Sequence, residues 1–189
     1  MSPGPFAFPG WDTAGMSVDA ILGDLTVEPA DALVNAANAS LLGGGGVDGA
    51  LHAAAGPELL AECRRVHAGQ YPDGLPVGHS VATRAALLPA RWVIHTVGPN
   101  RNAGQTDESL LAACYTTSLD VACGLGARTV AFPAVGAGVY GWDAATAARV
   151  AVDAVLAHPR TGIERVRFVL FSPRLLQSFT AALEAARQP

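Results

Sequence analysis

The sequence predicts an α/β domain in which a largely parallel β-sheet lies between layers of helices. Segments with strand character alternate along the chain with segments of helical composition. Several strand segments are continuous apolar runs, which is typical of strands that are buried on both faces. Two clusters of glycine each follow a predicted strand and precede a predicted helix. Folds of this class bind ligands beyond the carboxyl ends of their strands, where these clusters lie.

The predicted strands are short runs of apolar and β-branched residues. They cover residues 17–22, 32–35, 79–84, 92–97, 129–132 and 166–171. The predicted helices are longer, and glycine or proline interrupts the pattern at their ends because a helix does not continue easily through these residues. They cover residues 47–55, 58–67, 107–123, 144–157 and 173–187.

The composition limits the function classes. The chain has 189 residues, of which 50% are hydrophobic and 15% charged. It is therefore long enough for one domain with a core, and it is not a disordered, highly charged chain. No stretch approaches the roughly 20 apolar residues of a membrane span, so we expect no contact with membranes. All 12 basic residues are arginine, and the net charge is −4. This balance argues against a broad nucleic-acid interface, although backbone N–H groups can still bind phosphate.

The N-terminal segment and the cysteines indicate the cellular compartment of the protein. Residues 1–15 contain three prolines, three glycines and no basic residue, so they do not resemble a signal peptide. Three scattered cysteines without a CxxC pair are typical of a reducing compartment. The histidines and cysteines show no metal-ligand spacing, so we expect no metal. We therefore predict a flexible N-terminal arm at 1–15, a single domain over 16–189 and a cytoplasmic location.

The first glycine cluster lies in residues 35–52, which read NAANASLLGGGGVDGALH. This segment resembles the signature of the macrodomain family, in particular its MacroD-type branch. The match continues through GDLT at 23–26, WVIHTVGP at 92–99, AFPA at 131–134 and GVYG at 138–141. It extends over about residues 16–187, and the joint spacing of the motifs is specific, whereas a single glycine run would be weak evidence.

The resemblance implies a three-layer α/β/α macrodomain with a mixed, largely parallel central sheet that binds ADP-ribose. MacroD-type members remove mono-ADP-ribose from acidic side chains of proteins and deacetylate O-acetyl-ADP-ribose, without a metal or a cofactor. The resemblance therefore implies an ADP-ribosylhydrolase whose partners are ADP-ribose and ADP-ribosylated proteins. We expect the protein to be a monomer.

The resemblance also implies where the nucleotide binds. Asp24, Leu25 and Phe171 would contact adenine, because a carboxylate accepts from the exocyclic amine and a backbone N–H donates to a ring nitrogen. By position alone, Asp24 is better explained as the cap of a turn, and only the motif favours adenine. The alternative for Phe171 is a core residue. The phosphates would bind two sets of backbone N–H groups, assisted in the first by a helix dipole. These sets are Gly45, Gly46 and Val47, and Gly136, Ala137, Gly138, Val139 and Tyr140.

The second loop departs from the common family form, in which Ser and Thr stand in place of Gly136 and Ala137. We expect phosphate binding to survive this change, because that wall acts through N–H groups. Tyr140 and Trp142 would place aromatic faces beside the distal ribose, although core packing explains either. Residues 71–78 lengthen the usual spacing, are expected to form an exposed loop, and receive no assigned function.

Asp48 is the residue that points to catalysis. In the family, hydrolytic MacroD-type members have Asp at this position, whereas binding-only members often have an apolar residue. Its alternative role is that of a first-turn carboxylate that complements the helix dipole. Asn38 would hydrogen-bond the distal ribose. The resemblance implies a supporting role for His52, which lies four residues after Asp48 on the same helix face, although a buried histidine with satisfied hydrogen bonds explains it equally well. Asn35 and His95 are interpreted as internal structural residues.

Three functions remain open at this stage. The first is an ADP-ribosylhydrolase, which Asp48 favours. The second is a reader module that binds ADP-ribosylated partners without cleaving them. The third is a hydrolase of ADP-ribosylated nucleic acid, which would need only a narrow contact through a few arginines. A dinucleotide-dependent dehydrogenase is not favoured, because the glycine runs are not GxGxxG followed by a spaced acidic residue.

Overall fold

A computed structural model describes residues 11–13, 16–159 and 161–187. In this part of the chain, strands and helices alternate as the sequence predicts. The strands are β1 (Trp11–Thr13), β2 (Met16–Leu22), β3 (Ala32–Ala37), β4 (Ser80–Arg84), β5 (Trp92–Val97), β6 (Thr129–Phe132) and β7 (Arg165–Leu170). The helices are α1 (Gly46–Ala55), α2 (Pro57–Gln70), α3 (Glu108–Gly124), α4 (Ala144–Ala157) and α5 (Pro173–Ala185).

The described strands form one mixed sheet in the order β1-β2-β7-β6-β3-β5-β4. The five central strands, from β2 to β5 in this order, are mutually parallel. The strands at the two edges, β1 and β4, pair antiparallel. This arrangement confirms the prediction of a largely parallel sheet.

The core lies on both faces of the sheet. Alternate residues of a strand point to opposite faces, and β3 shows this directly. Val34 belongs to an apolar cluster with residues of α3, α4 and α5. Its neighbour Leu33 belongs to a second cluster with residues of α1 and α2. The fold is therefore the three-layer α/β/α sandwich that the sequence predicts.

The predicted N-terminal arm is wrong in one part. Trp11–Thr13 forms an edge strand in which Trp11 pairs with Val18 and Thr13 with Met16. The abundance of Pro and Gly around this segment suggested a loose arm. However, β2 would otherwise expose its backbone N–H and C=O groups along one side, and the added strand pairs them. The rest of the arm, 1–10 and 14–15, lies outside the described residues.

The loop at residues 71–78 is less exposed than predicted. Leu75 is 1% exposed and packs in the cluster beneath α1 and α2. Its backbone N–H donates to the carbonyl of Ala39 at 2.8 Å. The loop is therefore held against the segment after β3, because one apolar side chain among its turn-forming residues packs in the core.

Within the described residues, no helix is both long and apolar enough to cross a bilayer.

Candidate ligand-binding and active site

The candidate site lies along the carboxyl edge of the parallel strands. Four neighbouring strands end there in the order β2, β7, β6 and β3, and each is followed by a loop that carries predicted site residues. Neighbouring strands are about 4.8 Å apart, so these four ends extend over roughly 14 Å. The loops form an elongated site whose two ends are set by β2 and β3.

The β2 end of the site carries an exposed aromatic ring and a carboxylate. Phe171 directly follows β7, and Leu22 pairs with Leu170, so the loops after the two strands are adjacent. Phe171 is 75% exposed, which rules out the alternative of a core residue. Asp24 caps a short 3-10 turn, with its Oδ1 accepting from the N–H of Thr26 at 2.8 Å. The capping role is therefore real, and it holds this exposed carboxylate in a fixed place.

The first glycine loop leads into α1, with Gly45 at the N-cap. Among the described residues, nothing accepts a hydrogen bond from the backbone N–H groups of Gly44, Gly45, Gly46 and Val47. A Cβ built on Gly45 or Gly46 would meet no atom within 4 Å. The start of this helix therefore presents unpaired N–H donors to open space, which is the arrangement that binds anions.

The second glycine loop lies opposite, between β6 and α4. The backbone N–H groups of Gly136, Gly138, Val139 and Tyr140 have no acceptor within the described residues. Ala137 does not fit the prediction that its N–H binds phosphate, because this N–H donates to the carbonyl of Ala134 at 3.3 Å. A tight turn consumes this donor, so it is not available to a ligand in this conformation. The loop still offers a wall of amide donors.

The side chains at the end of the second loop differ in their exposure. Val139 is 80% exposed at the mouth of the site, and Tyr140 is half-buried. Trp142 was predicted to face the distal ribose, but it is only 4% exposed. Its Nε1 donates to the carbonyl of Pro99 at 2.8 Å. Trp142 is therefore a support beneath the loop, because its indole fills the core and its only polar group is already paired.

Asp48 is the buried carboxylate of the site. It lies in the first turn of α1 and is 3% exposed. Its Oδ1 accepts from Asn35 Nδ2 at 2.7 Å, and His52 Nε2 lies 3.4 Å from the same oxygen. Burial raises the pKa of Asp48 above the ordinary value of 3.8, while the hydrogen bond from Asn35 and the nearby His52 oppose this rise. A carboxylate whose pKa is raised by burial is a stronger base than an ordinary aspartate, which suits it to accept a proton from a water molecule.

Asn38 is close to Asp48, but its side chain is bonded within its own loop. Its Nδ2 donates to the carbonyl of Gly43 at 2.9 Å. Its Oδ1 accepts from the N–H and the hydroxyl of Ser40, at 3.0 and 2.6 Å. The structure thus gives Asn38 a loop-shaping role, and its contact with a ribose stays a prediction.

Two site residues were missed or underrated by sequence reasoning. A Cβ built on Gly44 would lie 3.0 Å from Asp48 Oδ2 and 3.1 Å from Asn38 Nδ2, so a side chain here would force these atoms to shift. A run of four glycines gives no signal of which member makes this contact. Asn35 was interpreted as internal, and it is buried, but it also bonds the carboxylate of Asp48. A separation of 13 residues across a loop gives no sequence pattern that would reveal such a pair.

Comparison with known proteins gives consistent results. The model of the Macro domain family matches residues 34–151. A macro domain-containing protein of Streptomyces coelicolor is 56% identical over 163 residues, which are 86% of this chain and 96% of that protein. A protein of Enterobacter cloacae named O-acetyl-ADP-ribose deacetylase is 46% identical over 169 residues, 88% of this chain and 93% of its own length.

A solved structure shows the same fold with a ligand. It is a mutant of an Oceanobacillus iheyensis macrodomain with ADPR, which is 36% identical and superposes with a TM-score of 0.90. The likeness covers 96% of this chain and 99% of that one. Because the family model, close relatives and the fold agree over most of its length, this chain belongs to the macro domain family.

Proposed function

We propose that this protein binds ADP-ribose and hydrolyses esters on its distal ribose. The substrates are O-acetyl-ADP-ribose and proteins that carry mono-ADP-ribose on an acidic side chain. The observation that carries the proposal is the buried carboxylate of Asp48, which lies beside the unpaired N–H groups at the start of α1. The name of the E. cloacae relative and the ADPR complex of the solved macrodomain support it.

The binding mode follows from the order of the loops. Adenine lies at the β2 end against Phe171, where Asp24 accepts from its amine. The two phosphates lie between the two glycine loops, whose unpaired N–H groups neutralise their charge. The distal ribose then lies at the β3 end, beside Asp48. Each part of the nucleotide thus meets a group of complementary chemistry along the edge of the sheet.

The carboxylate of Asp48 acts as a general base in this proposal. It takes a proton from a water molecule, and the resulting hydroxide adds to the acyl carbon. As the bond from the acyl carbon to the ribose oxygen breaks, the protonated Asp48 returns its proton to that oxygen, which leaves as a hydroxyl group. The products are the free acid and ADP-ribose. For an acyl group on the anomeric carbon, the same carboxylate also stabilises the positive charge that develops if the ribose–oxygen bond breaks instead. A route in which the substrate's own phosphate holds the water would need no base from the protein.

Calorimetry with ADP-ribose, combined with hydrolysis assays, tests the proposal. The assays use O-acetyl-ADP-ribose, a protein mono-ADP-ribosylated on Asp or Glu, and a DNA end carrying ADP-ribose. We expect binding, and hydrolysis of the first two substrates. Binding without any hydrolysis would instead make the protein a reader module, and hydrolysis of the DNA-linked substrate alone would make it a nucleic-acid hydrolase. A titration without heat would refute nucleotide binding itself.

Phe171→Ala is expected to weaken ADP-ribose binding. Stacking of a base on an aromatic ring is worth about 1–3 kcal/mol, so the dissociation constant should rise about 5- to 150-fold. The ring is exposed, so thermal stability should stay unchanged. Leu87→Ala is the matched control, because Leu87 is 78% exposed and packs beside Gly56 at the end of α1, away from the proposed nucleotide. Equal affinity of both variants would exclude Phe171 from the adenine site.

Gly44→Ala is expected to lower turnover more than it lowers affinity. The new methyl group would push on Asp48 Oδ2 and Asn38 Nδ2. Asp48 is held through its other oxygen, Oδ1, by Asn35, and Asn38 Nδ2 itself donates to the carbonyl of Gly43. A displacement of about 1 Å at a reacting group can cost up to about 100-fold in rate, so the smaller shift required here should cost less than this. Gly69→Ala, in α2 with open space around its Cβ, is the control and should behave as wild type. Full activity of Gly44→Ala would show that the carboxylate position is not critical.

A further inference from the structure

A buried chain of polar side chains extends from Asp48 into the core. Asn35 and His95 are 0% exposed, and Thr83 is 3% exposed. Asn35 Nδ2 lies 2.7 Å from Asp48 Oδ1 and 3.1 Å from His95 Nδ1. On the other side of the imidazole, Nε2 lies 3.0 Å from Thr83 Oγ1. Three strands and one helix are connected through this chain, which the proposed mechanism does not use beyond Asp48.

The hydrogen-bonding capacity of each group fixes the direction of the chain. An ionised carboxylate only accepts hydrogen bonds, so the amide nitrogen of Asn35 must face Asp48. That nitrogen carries two hydrogens, and the second one points to His95 Nδ1. Nδ1 therefore accepts, which makes His95 a neutral imidazole with its proton on Nε2. This proton is donated to the hydroxyl of Thr83.

The surroundings of the imidazole favour the neutral state. Complete burial, together with the nearby His52, lowers the pKa of His95 to about 3. The thiol of Cys63 on α2 lies 3.6 Å from His95 Nε2, and burial raises the pKa of this thiol to about 12, with Asp48 and Glu62 adding to the rise. Cys63 is therefore neutral as well. His52 on α1, His95 on β5 and Cys63 on α2 are the titratable groups around Asp48 in the described part of the chain.

We propose that His95 is a positioning residue for the hydrolysis. The neutral imidazole accepts a hydrogen bond from Asn35 and so keeps the amide nitrogen of Asn35 directed toward Asp48. Asn35 in turn donates to the carboxylate of Asp48 and fixes its orientation. Without this acceptor, the amide is able to rotate, and the carboxylate loses its hydrogen bond. The inference rests on the proposed function of Asp48 as the base. It gives the histidine of the WVIHTVGP segment a role in the reaction without contact with the substrate.

A pair of substitutions at position 95 separates this role from simple packing. His95→Leu fills similar space without an acceptor, whereas His95→Asn places a side-chain oxygen near the position of Nδ1. We expect His95→Leu to lower kcat about 10- to 100-fold, the effect of losing one hydrogen bond to a charged group. KM and the affinity for ADP-ribose should stay within about twofold, since His95 does not contact the ligand. The acidic limb of its pH–rate profile should move to higher pH, and His95→Asn should restore most of kcat.

Cys63→Ala is the matched control. It removes another neighbour of the imidazole without touching Asn35, and it should keep the kcat and the pH profile of the wild type. Equal losses in His95→Leu and His95→Asn would overturn the proposal in favour of packing. Wild-type kinetics in His95→Leu would also overturn it. If the wild-type protein itself hydrolyses nothing, the proposed function fails first, and this inference fails with it.

A measurement on the wild-type protein keeps the inference testable when a variant does not fold. Long-range ¹H–¹⁵N NMR correlations report which ring nitrogen of a histidine carries the proton. For His95 we expect an unprotonated Nδ1 and a protonated Nε2, unchanged between pH 8 and pH 5. A proton on Nδ1, or titration of the ring within this range, would overturn the proposed direction of the chain.

Discussion

Replacing Asp48 with Asn is expected to lower turnover of O-acetyl-ADP-ribose about 10²- to 10⁴-fold, the usual contribution of general base catalysis. The amide oxygen of the new residue can still accept from Asn35, so the geometry of the site is kept while the base is lost. The affinity for ADP-ribose, measured by calorimetry, should change little, because the phosphates and adenine bind elsewhere. Unchanged turnover would remove Asp48 from the mechanism and favour activation of water by the substrate's phosphate.

The pH dependence of the wild type and the stability of the variant provide two controls. The base must be ionised, and burial raises the pKa of Asp48, so turnover should fall with decreasing pH already above the ordinary range of Asp. A carboxyl group whose pKa is raised in the folded state contributes stability at low pH, and this contribution is lost as the pH rises through the raised pKa. At neutral pH, Asp48→Asn should therefore be as stable as the wild type or more stable.

Gly136→Ala is expected to produce the largest loss of stability, about 2–5 kcal/mol in the free energy of unfolding. Gly136 has a φ of +80°, where a Cβ costs roughly 1–2 kcal/mol. The added methyl group would lie 2.8 Å from Trp142 Cδ1 and 3.2 Å from Leu111 Cδ1. Overpacking of this kind costs typically about 1–3 kcal/mol. Trp142 has little room to retreat, because it is buried and bonded to Pro99.

Denaturant unfolding measures this effect, and Gly124→Ala is its control. Gly124 ends α3, its φ is not in the left-handed region, and a Cβ there meets no atom within 4 Å. Its substitution should therefore leave stability unchanged or raise it slightly. If Gly136→Ala unfolds at the same denaturant concentration as this control, the packing of the second glycine loop on Trp142 is looser than the structure indicates.

The elements of the fold were predictable because their signals are local. Gly56-Pro57 separates α1 from α2, and the structure places Gly56 at a φ of +79° with Pro57 as the first residue of α2, an arrangement that only these residue types favour. The β-branched run at 92–97 forms β5 with the predicted bounds. By contrast, β1 was not predicted, because an edge strand is fixed by the partner it pairs with rather than by its own composition.

The site was predictable only in outline. Glycine loops after β3 and β6 follow from the sequence, because the carboxyl ends of parallel strands always share one edge. Which side chains meet there is a different matter. Trp142 and Tyr140 are two residues apart, yet Trp142 is buried beneath the loop and Tyr140 is only half-buried. Burial depends on the packing of α3 and α4 against the sheet, which short sequence patterns do not encode.

The sequence by itself determined the α/β class, the positions of the strands and helices, and the two amide-rich loops that suit a diphosphate. These features depend on residue types within a few positions of each other. Only the tertiary structure decided that Asn35 bonds both Asp48 and His95, that Gly44 lies against the carboxylate of Asp48, and that Phe171 is exposed. Such contacts join residues from different strands and helices, and they arise from packing in three dimensions, for which the linear order has no signal.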